Sequence, residues 1–257
     1  MISLKNKTCL IDLDGTIYAG DRLIDGAIEF ITYLQKKQIA YYFITNNASR
    51  THKQNAQKLL EMGFSNIREA DFFTSAMASA AYIAHHSDKR TAFYIGQDGM
   101  HEALTEQGFV INETQADFVF IGLDQSATYE SYCKAFNLVE KGAMLVGTNK
   151  DRRLPHGDGF RIGNGAVVEM FAYASGQTPL IIGKPYSYML EEALLYANVK
   201  KEDCIIIGDN LETDILFGTA NEVETIFVTS GVHKKEDVEA LHIQPTYTID
   251  NLIELCI

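Results

Sequence analysis

Short, uninterrupted apolar runs alternate with amphipathic stretches along most of this chain. Thr8 to Ile11 is apolar and leads directly into Asp and Gly, the pattern of a buried parallel strand that ends in a loop. Ile24, Ala27, Ile28, Ile31 and Leu34 then recur at helical spacing. Asp25 lies near the start of this helix and Lys36-Lys37 at its end, where each charge complements the helix dipole. Ala40 to Ile44 reads as a second strand running out into Thr45-Asn46-Asn47. A helix from about Thr51 to Met62 follows, stopped by Gly63.

The alternation returns toward the C-terminus, with strands at Cys204 to Ile207 and Thr225 to Val228 and helices at Asp214 to Ala220 and Lys235 to Leu241. Such alternation predicts an α/β fold, a doubly wound parallel sheet with helices on both faces. Between the two halves, strands at Ala92 to Ile95, Phe118 to Ile121 and Leu145-Val146 alternate with helices at Met100 to Gln107 and Tyr129 to Lys141. At roughly 100 residues, this stretch falls in the size range of an independent domain. The expected organisation is a discontinuous core of residues 1–77 and 180–257, with an inserted α/β domain over 78–179.

The chain has 257 residues, 46% of them hydrophobic, enough for a real core. Its net charge of −12 comes from acids spread over the whole length, which disfavours docking on nucleic acid or an anionic membrane. An anionic substrate therefore requires local positive charge at its site, from a metal ion or from placed Lys and Arg. Cys9, Cys133, Cys204 and Cys256 are far apart and form no CxxC pair, so they read as free thiols, with Cys9 and Cys204 in buried strands. No run approaches the ~20 apolar residues of a membrane span. The segment Ile2-Ser3-Leu4-Lys5-Asn6-Lys7 also lacks the apolar stretch of a secretory signal, so the expected setting is the cytoplasm.

In open α/β sheets ligands bind beyond the carboxyl ends of the strands, which directs attention to the polar residues there. One strand ends in Asp12-Leu13-Asp14-Gly15-Thr16, another in Thr45-Asn46, and a third in Gly208-Asp209-Asn210 with Asp214 a turn further on. Residues two apart in an extended segment point the same way, so Asp12 and Asp14 can share a site, and Gly15 permits a sharp turn. With Asp209 they make a hard oxygen site suited to Mg²⁺. An Asp-x-Asp-Gly alone also occurs in surface turns and calcium loops. Here it follows a buried strand and lacks the flanking helices of an EF-hand.

Taken together, these segments resemble the haloacid dehalogenase superfamily of phosphohydrolases, and within it the NagD-like branch. Asp12-Leu13-Asp14-Gly15-Thr16 is similar to the first motif and Ile44-Thr45-Asn46-Asn47 with Ser49-Arg50 to the second. Gly183-Lys184-Pro185 is similar to the third, and Gly208-Asp209-Asn210 with Thr213-Asp214 to the fourth. The insert resembles the cap domain of that branch. The resemblance implies Asp12 as nucleophile, Asp14 as general acid and base, Thr45, Asn46 and Lys184 as phosphate-binding groups, and Asp12, Asp14 and Asp209 as metal ligands. Asp214 is expected to act at one remove, orienting Lys184 or a metal-bound water. The implied reaction is Mg²⁺-dependent hydrolysis of small phosphate monoesters through an aspartyl phosphate.

In the insert, Asn149, Asp151 and Arg152 are candidate substrate contacts, because Thr148-Asn149-Lys150-Asp151 and Gly163-Asn164-Gly165 resemble segments of the NagD-like cap. Gly163-Asn164-Gly165 is no dinucleotide fingerprint, since the third glycine is missing. The 7 histidines show no HxxxH pattern and read as ordinary surface or core residues. Two other chemistries use a similar acidic pocket, a phosphomutase and a receiver-like signalling module. A receiver needs no insert of this size, and an acid and base at Asp14 favours hydrolysis over a persistent phosphoaspartate. The partner implied is a small phosphorylated metabolite, and the sequence is compatible with a homo-oligomer.

Overall fold

A computed structural model describes residues 2–156 and 159–256. The chain divides into two compact units, one made of residues up to Thr45, Lys53–Phe73 and Ala193 onward, the other of Asn46–His52 and Thr74–Glu192.

In the first unit the strand Thr8–Ile11 forms where the apolar run lies, and all of it is buried. It belongs to a six-stranded sheet in the order Tyr247–Ile249, Glu224–Val228, Cys204–Gly208, Thr8–Ile11, Tyr41–Thr45, Phe72–Thr74. The four pairings from Tyr247–Ile249 across to Tyr41–Thr45 are parallel. Ile11 stands beside Ile207 on one neighbour and Phe43 on the other. Asp12 and Asp209, which directly follow their strands, and Thr45, the last residue of its strand, therefore lie at the same carboxyl end of the sheet.

The faces of this sheet follow the period of two that a strand imposes. Cys9, Ile11, Ile205, Ile207, Ile226 and Val228 share a core with Phe30, Ile31 and Leu34 of the helix Ala27–Lys37. A smaller cluster of Leu211, Ile215 and Phe227 is packed separately. The helix expected from Asp214 begins earlier, as a π-helical turn over Leu211–Ile215 continued by Leu216–Thr219. The cause is Asn210, whose side chain accepts hydrogen bonds from the backbone N–H of Glu212 and Thr213 and so starts the helix before its apolar period is readable.

The second unit holds its own five-stranded sheet, in the order Leu180–Ile181, Met144–Gly147, Phe118–Ile121, Thr91–Ile95, Val110–Ile111, with every pairing parallel. The helices Asp98–Glu106 and Tyr129–Glu140 form where the amphipathic patterns lie. Two further helices of this unit carry no such pattern. In Ser75–His86, the residues Ser75 to Ala81 and Ile83 are all buried, so the helix has no polar face to create a period. Asn164–Ser175 starts directly at the glycine-rich segment that reads as loop, with Gly163 preceding its first turn. The antiparallel pair Arg153–His156 and Gly159–Ile162 is a further element without a legible pattern. Its outward Phe160 and Ile162 are exposed, reversing the usual rule that apolar residues mark the core. Among the described residues no helix is long and apolar enough to cross a membrane.

Burial pushes the Cys9 thiol up to about 12 and the Cys204 thiol up to about 11. The thiolate is the reactive form, so both are protected twice, by access and by protonation. Iodoacetamide at about pH 8 is expected to modify Cys133, which is partly exposed, well before Cys9 and Cys204, which react only as the protein unfolds. Peptide mass spectrometry across a urea series reads this order. Early labelling of Cys9 would contradict the packing described.

Candidate active site

At the edge where the strands of the first unit end, the carboxylates of Asp12, Asp209 and Asp214 each place an oxygen within 4.8 Å of the others. Asp12 is 9% exposed, Asp209 0% and Asp214 1%. Three carboxylates this close and this dry repel one another and have lost most of their hydration, so the arrangement asks for a cation.

Short-range structure holds each group in place. After Asp12 the chain folds back on itself, with the N–H of Ile17 and of Tyr18 bonded to the carbonyl of Leu13 and the Gly15 N–H bonded to the carbonyl of Tyr18 at 2.7 Å. That turn presents Thr16, whose hydroxyl donates to Asp209 Oδ1 at 2.9 Å, while the backbone N–H of Val232 donates to Asp209 Oδ2 at 2.7 Å. Asp214 Oδ2 accepts from the backbone N–H of Asn210 at 3.1 Å. The π-helical turn carries Asp214, and such widened turns are frequent at functional sites.

Two glycines make room. A Cβ on Gly15, whose φ is +106°, would lie 2.3 Å from Asp209 Oδ2, and one on Gly231 would lie 1.9 Å from the same atom. The backbone is thus packed against Asp209 from two sides, at positions where only hydrogen fits. Buried carboxylates held by neutral donors, with all-oxygen chemistry, match what a hard divalent ion such as Mg²⁺ requires.

In the second unit Asn46 is a junction. Its side-chain Oδ1 accepts from the Lys184 backbone N–H at 2.9 Å, and its Nδ2 donates to the Lys184 carbonyl at 3.1 Å and to Asp151 Oδ1 at 3.2 Å. The Asn46 carbonyl accepts from Ser75 Oγ at 2.6 Å and Asn149 Nδ2 at 2.8 Å. Three segments distant in sequence, at Ser75, at Asn149 to Asp151 and at Lys184, are thereby fixed to one residue. Gly183 fits this junction tightly, since a Cβ there would fall 2.4 Å from the Thr148 carbonyl. Asn164 braces the same region, its Nδ2 donating to the carbonyl of Ile121 and to Thr148 Oγ1, both at 3.0 Å.

The structure therefore distributes the expected residues unevenly. Asp12 and Asp209 converge, and Asp214, expected to act at one remove, belongs to the same carboxylate group. Asp14, expected as a further metal ligand, is exposed and is not part of that group. The alternation of an extended segment does not hold past Asp12, because the chain turns at Gly15. Thr45 is buried in the first unit, and Asn46 and Lys184, at 8% and 3% exposure, are buried in the second. Asn149 is buried and engaged with Asn46, Asp151 is partly buried, and Arg152 is exposed. Sequence reasoning missed Thr16, Ser75 and the Gly231–Val232 turn. Thr16 lies within the first motif and could have been found from its position beside Gly15; the others carry no local signal.

Comparisons with known proteins bear on these residues. Residues 9–110 match the haloacid dehalogenase-like hydrolase family and residues 181–255 match a second, HAD-hydrolase-like family. The chain is 39% identical over 255 residues to an acid sugar phosphatase of Staphylococcus saprophyticus, covering 98% of each. A double mutant of a thermostable NPPase from Geobacillus stearothermophilus superposes with a TM-score of 0.88 at 37% identity over 96% of both chains. NagD from E. coli K-12 superposes with a TM-score of 0.89 at 30% identity, covering 98% of this chain and 99% of that one.

Gly231→Ala is expected to lower stability by about 1–3 kcal/mol through overpacking against Asp209, and to weaken divalent-ion binding in the same variant. Urea unfolding and a calorimetric Mg²⁺ titration measure the two effects, and a variant as stable and as metal-competent as the parent would refute the cradle. Asn46→Ala removes the acceptor for the Lys184 N–H, a loss of about 1–3 kcal/mol in the same unfolding assay.

Proposed function

Because the chain belongs to the haloacid dehalogenase-like hydrolases, in their NagD-like branch, we propose that it hydrolyses small phosphate monoesters with Mg²⁺ through a phosphorylated Asp12. It is a phosphoric monoester hydrolase. The observation that carries the mechanistic reading is the convergence of Asp12, Asp209 and Asp214 at the end of the central strands. A nucleophile there sits within a group that also binds the ion needed to offset its charge.

Asp12, Asp209 and Asp214 are the residues that would hold Mg²⁺. When bound, it supplies positive charge to the phosphoryl oxygens. One Asp12 oxygen attacks phosphorus and the ester P–O bond breaks, while the leaving oxygen takes a proton from Asp14. Asp14 then removes a proton from water, which attacks the phosphoaspartate, breaks its P–O bond and frees both phosphate and Asp12. Asp14 suits this work because it is exposed and so in exchange with solvent, unlike the buried carboxylates. Thr45 and Asn46 are assigned to phosphate binding and Lys184 to charge neutralisation. Lysine is almost never so fully buried without a specific electrostatic reason, and Lys184 is 3% exposed.

The division into a catalytic core of residues 1–77 and 180–257 and an inserted cap over 78–179 belongs to the same proposal. The substrates proposed are sugar and acid-sugar phosphates, by similarity to the acid sugar phosphatases, with nucleoside monophosphates as a further class and p-nitrophenyl phosphate as the artificial substrate. Asn149, Asp151 and Arg152 are the proposed contacts on the substrate side. Of these, Arg152 is the exposed cation available to an acid sugar's carboxylate. The free thiols support a reducing, cytoplasmic setting.

Asp12→Asn is expected to lower kcat on p-nitrophenyl phosphate by more than roughly 10⁴-fold with the fold intact. Chelation of the wild type is expected to abolish turnover until Mg²⁺ is restored. Phosphate release measured alongside circular dichroism decides the first point, and substantial turnover by Asp12→Asn would end the proposal. A panel of phosphorylated metabolites ranked by kcat/KM identifies the substrate, and catalytic phosphate release separates hydrolysis from mutase or receiver chemistry.

A further inference from the structure

A second group of potential ligands lies wholly within the unit formed by Asn46–His52 and Thr74–Glu192. His52, Glu102 and Glu106 bring one ligand atom each to within 4.8 Å of the others. Nδ1 of His52 stands 3.9 Å from Glu102 Oε2 and 3.9 Å from Glu106 Oε1. The two glutamates are one turn apart on the helix Asp98–Glu106 and so share a face. The backbone N–H of His52 donates to Glu102 Oε2 at 2.8 Å, which turns that carboxylate toward the imidazole.

The other ring nitrogen faces sulfur. Nε2 of His52 lies 2.8 Å from Met77 Sδ. A thioether sulfur can only accept, so this contact places the proton of the neutral ring on Nε2. Nδ1 then presents a lone pair to two carboxylates. With the ring neutral, three electron-pair donors face one another, so positive charge is needed among them, and a second ring proton on Nδ1 or a divalent cation in that proton's place supplies it.

We propose that His52, Glu102 and Glu106 form a second metal site, one that takes a zinc-class divalent cation. The donor set is imidazole and carboxylate, which suits Zn²⁺ and its neighbours better than Mg²⁺. Donors about 2.1 Å from a common tetrahedral ion stand roughly 3.4 Å from one another, so each imidazole–carboxylate separation of 3.9 Å has to close by about half an ångström and the two carboxylates, within 4.8 Å, have to close to the same spacing. Glu106, with its side chain 50% exposed, has the freedom to make that adjustment, and the fourth position remains for water. The site would tie the segment from Asn46 to His52 to the helix Asp98–Glu106, reinforcing the bond already made by the Gly99 N–H to the Ser49 carbonyl at 3.0 Å. It shares no residue with the group of Asp12, Asp209 and Asp214.

Zinc titration of the full chain by calorimetry, in saturating Mg²⁺, tests the proposal on four proteins: wild type, Glu106→Gln, His52→Asn and Asp209→Asn. The wild type and Asp209→Asn are expected to bind one Zn²⁺ with equal affinity and to melt at higher temperature with zinc than without, while both other variants bind at least about tenfold more weakly and lose the shift. Glu106 is half exposed, so its substitution keeps the test valid should His52→Asn fold poorly. Zinc affinity unchanged in Glu106→Gln, or zinc binding lost only in Asp209→Asn, overturns the proposal.

Discussion

The first unit is organised around the burial of negative charge. Asp209 and Asp214 are shut off from solvent, Asp12 nearly so, and their oxygens are close enough to repel strongly. An uncompensated charge in such a position costs several kcal/mol, so what surrounds the group has to be arranged for it. The Thr16 hydroxyl and the Val232 N–H each donate to Asp209, the Asn210 N–H donates to Asp214, and Gly15 and Gly231 let the backbone reach the carboxylate. None of these neutral donors cancels the charge. They orient the oxygens, and a group of carboxylates oriented in this way could hold a metal ion, so its burial need not be simply a cost to stability.

The parallel sheet is what makes this concentration of charge achievable. Its two central strands, Thr8–Ile11 and Cys204–Gly208, are buried along their whole length, so the register of Ile11 against Ile207 and Phe43 is set by packing. The polar residues then emerge in step at the strand ends without contributing to the core. A slip of one residue would turn Cys9 and Ile11 out of the face they share with Phe30 and Leu34, and would carry Asp12 out of line with Asp209. Core packing and site geometry are therefore one constraint.

The same reasoning explains what could be read from the sequence. Strands such as Thr8–Ile11 and Phe118–Ile121, and amphipathic helices such as Tyr129–Glu140, carry their signal in local pattern and lie where that pattern puts them. Ser75–His86 was illegible because a helix buried nearly all round has no period, and the early start of the helix after Asn210 was illegible because a cap, not an apolar residue, begins it. In the site, Asp12 and Asp209 were legible from their strand ends. The exclusion of Asp14 from the carboxylate group was not, since it depends on how tightly the chain turns through Gly15 to Tyr18. The junction at Asn46 was equally hidden, as it joins Ser75, Asn149, Asp151 and Lys184, residues that no local window brings together.

That junction bears on how a chain with a net charge of −12 can work on an anion. Long-range attraction is unavailable, so positive charge must be fixed locally and kept from the many acids that could neutralise it elsewhere. Burying Lys184 and clamping its backbone through both Asn46 side-chain atoms fixes the point from which its side chain extends. Desolvating an ammonium is costly, so a lysine this buried has to be held where negative charge is close to it. In the proposed reaction a phosphate would bring further negative charge to that lysine, which would favour dianionic groups over neutral ones before any contact with the remainder of the substrate is made.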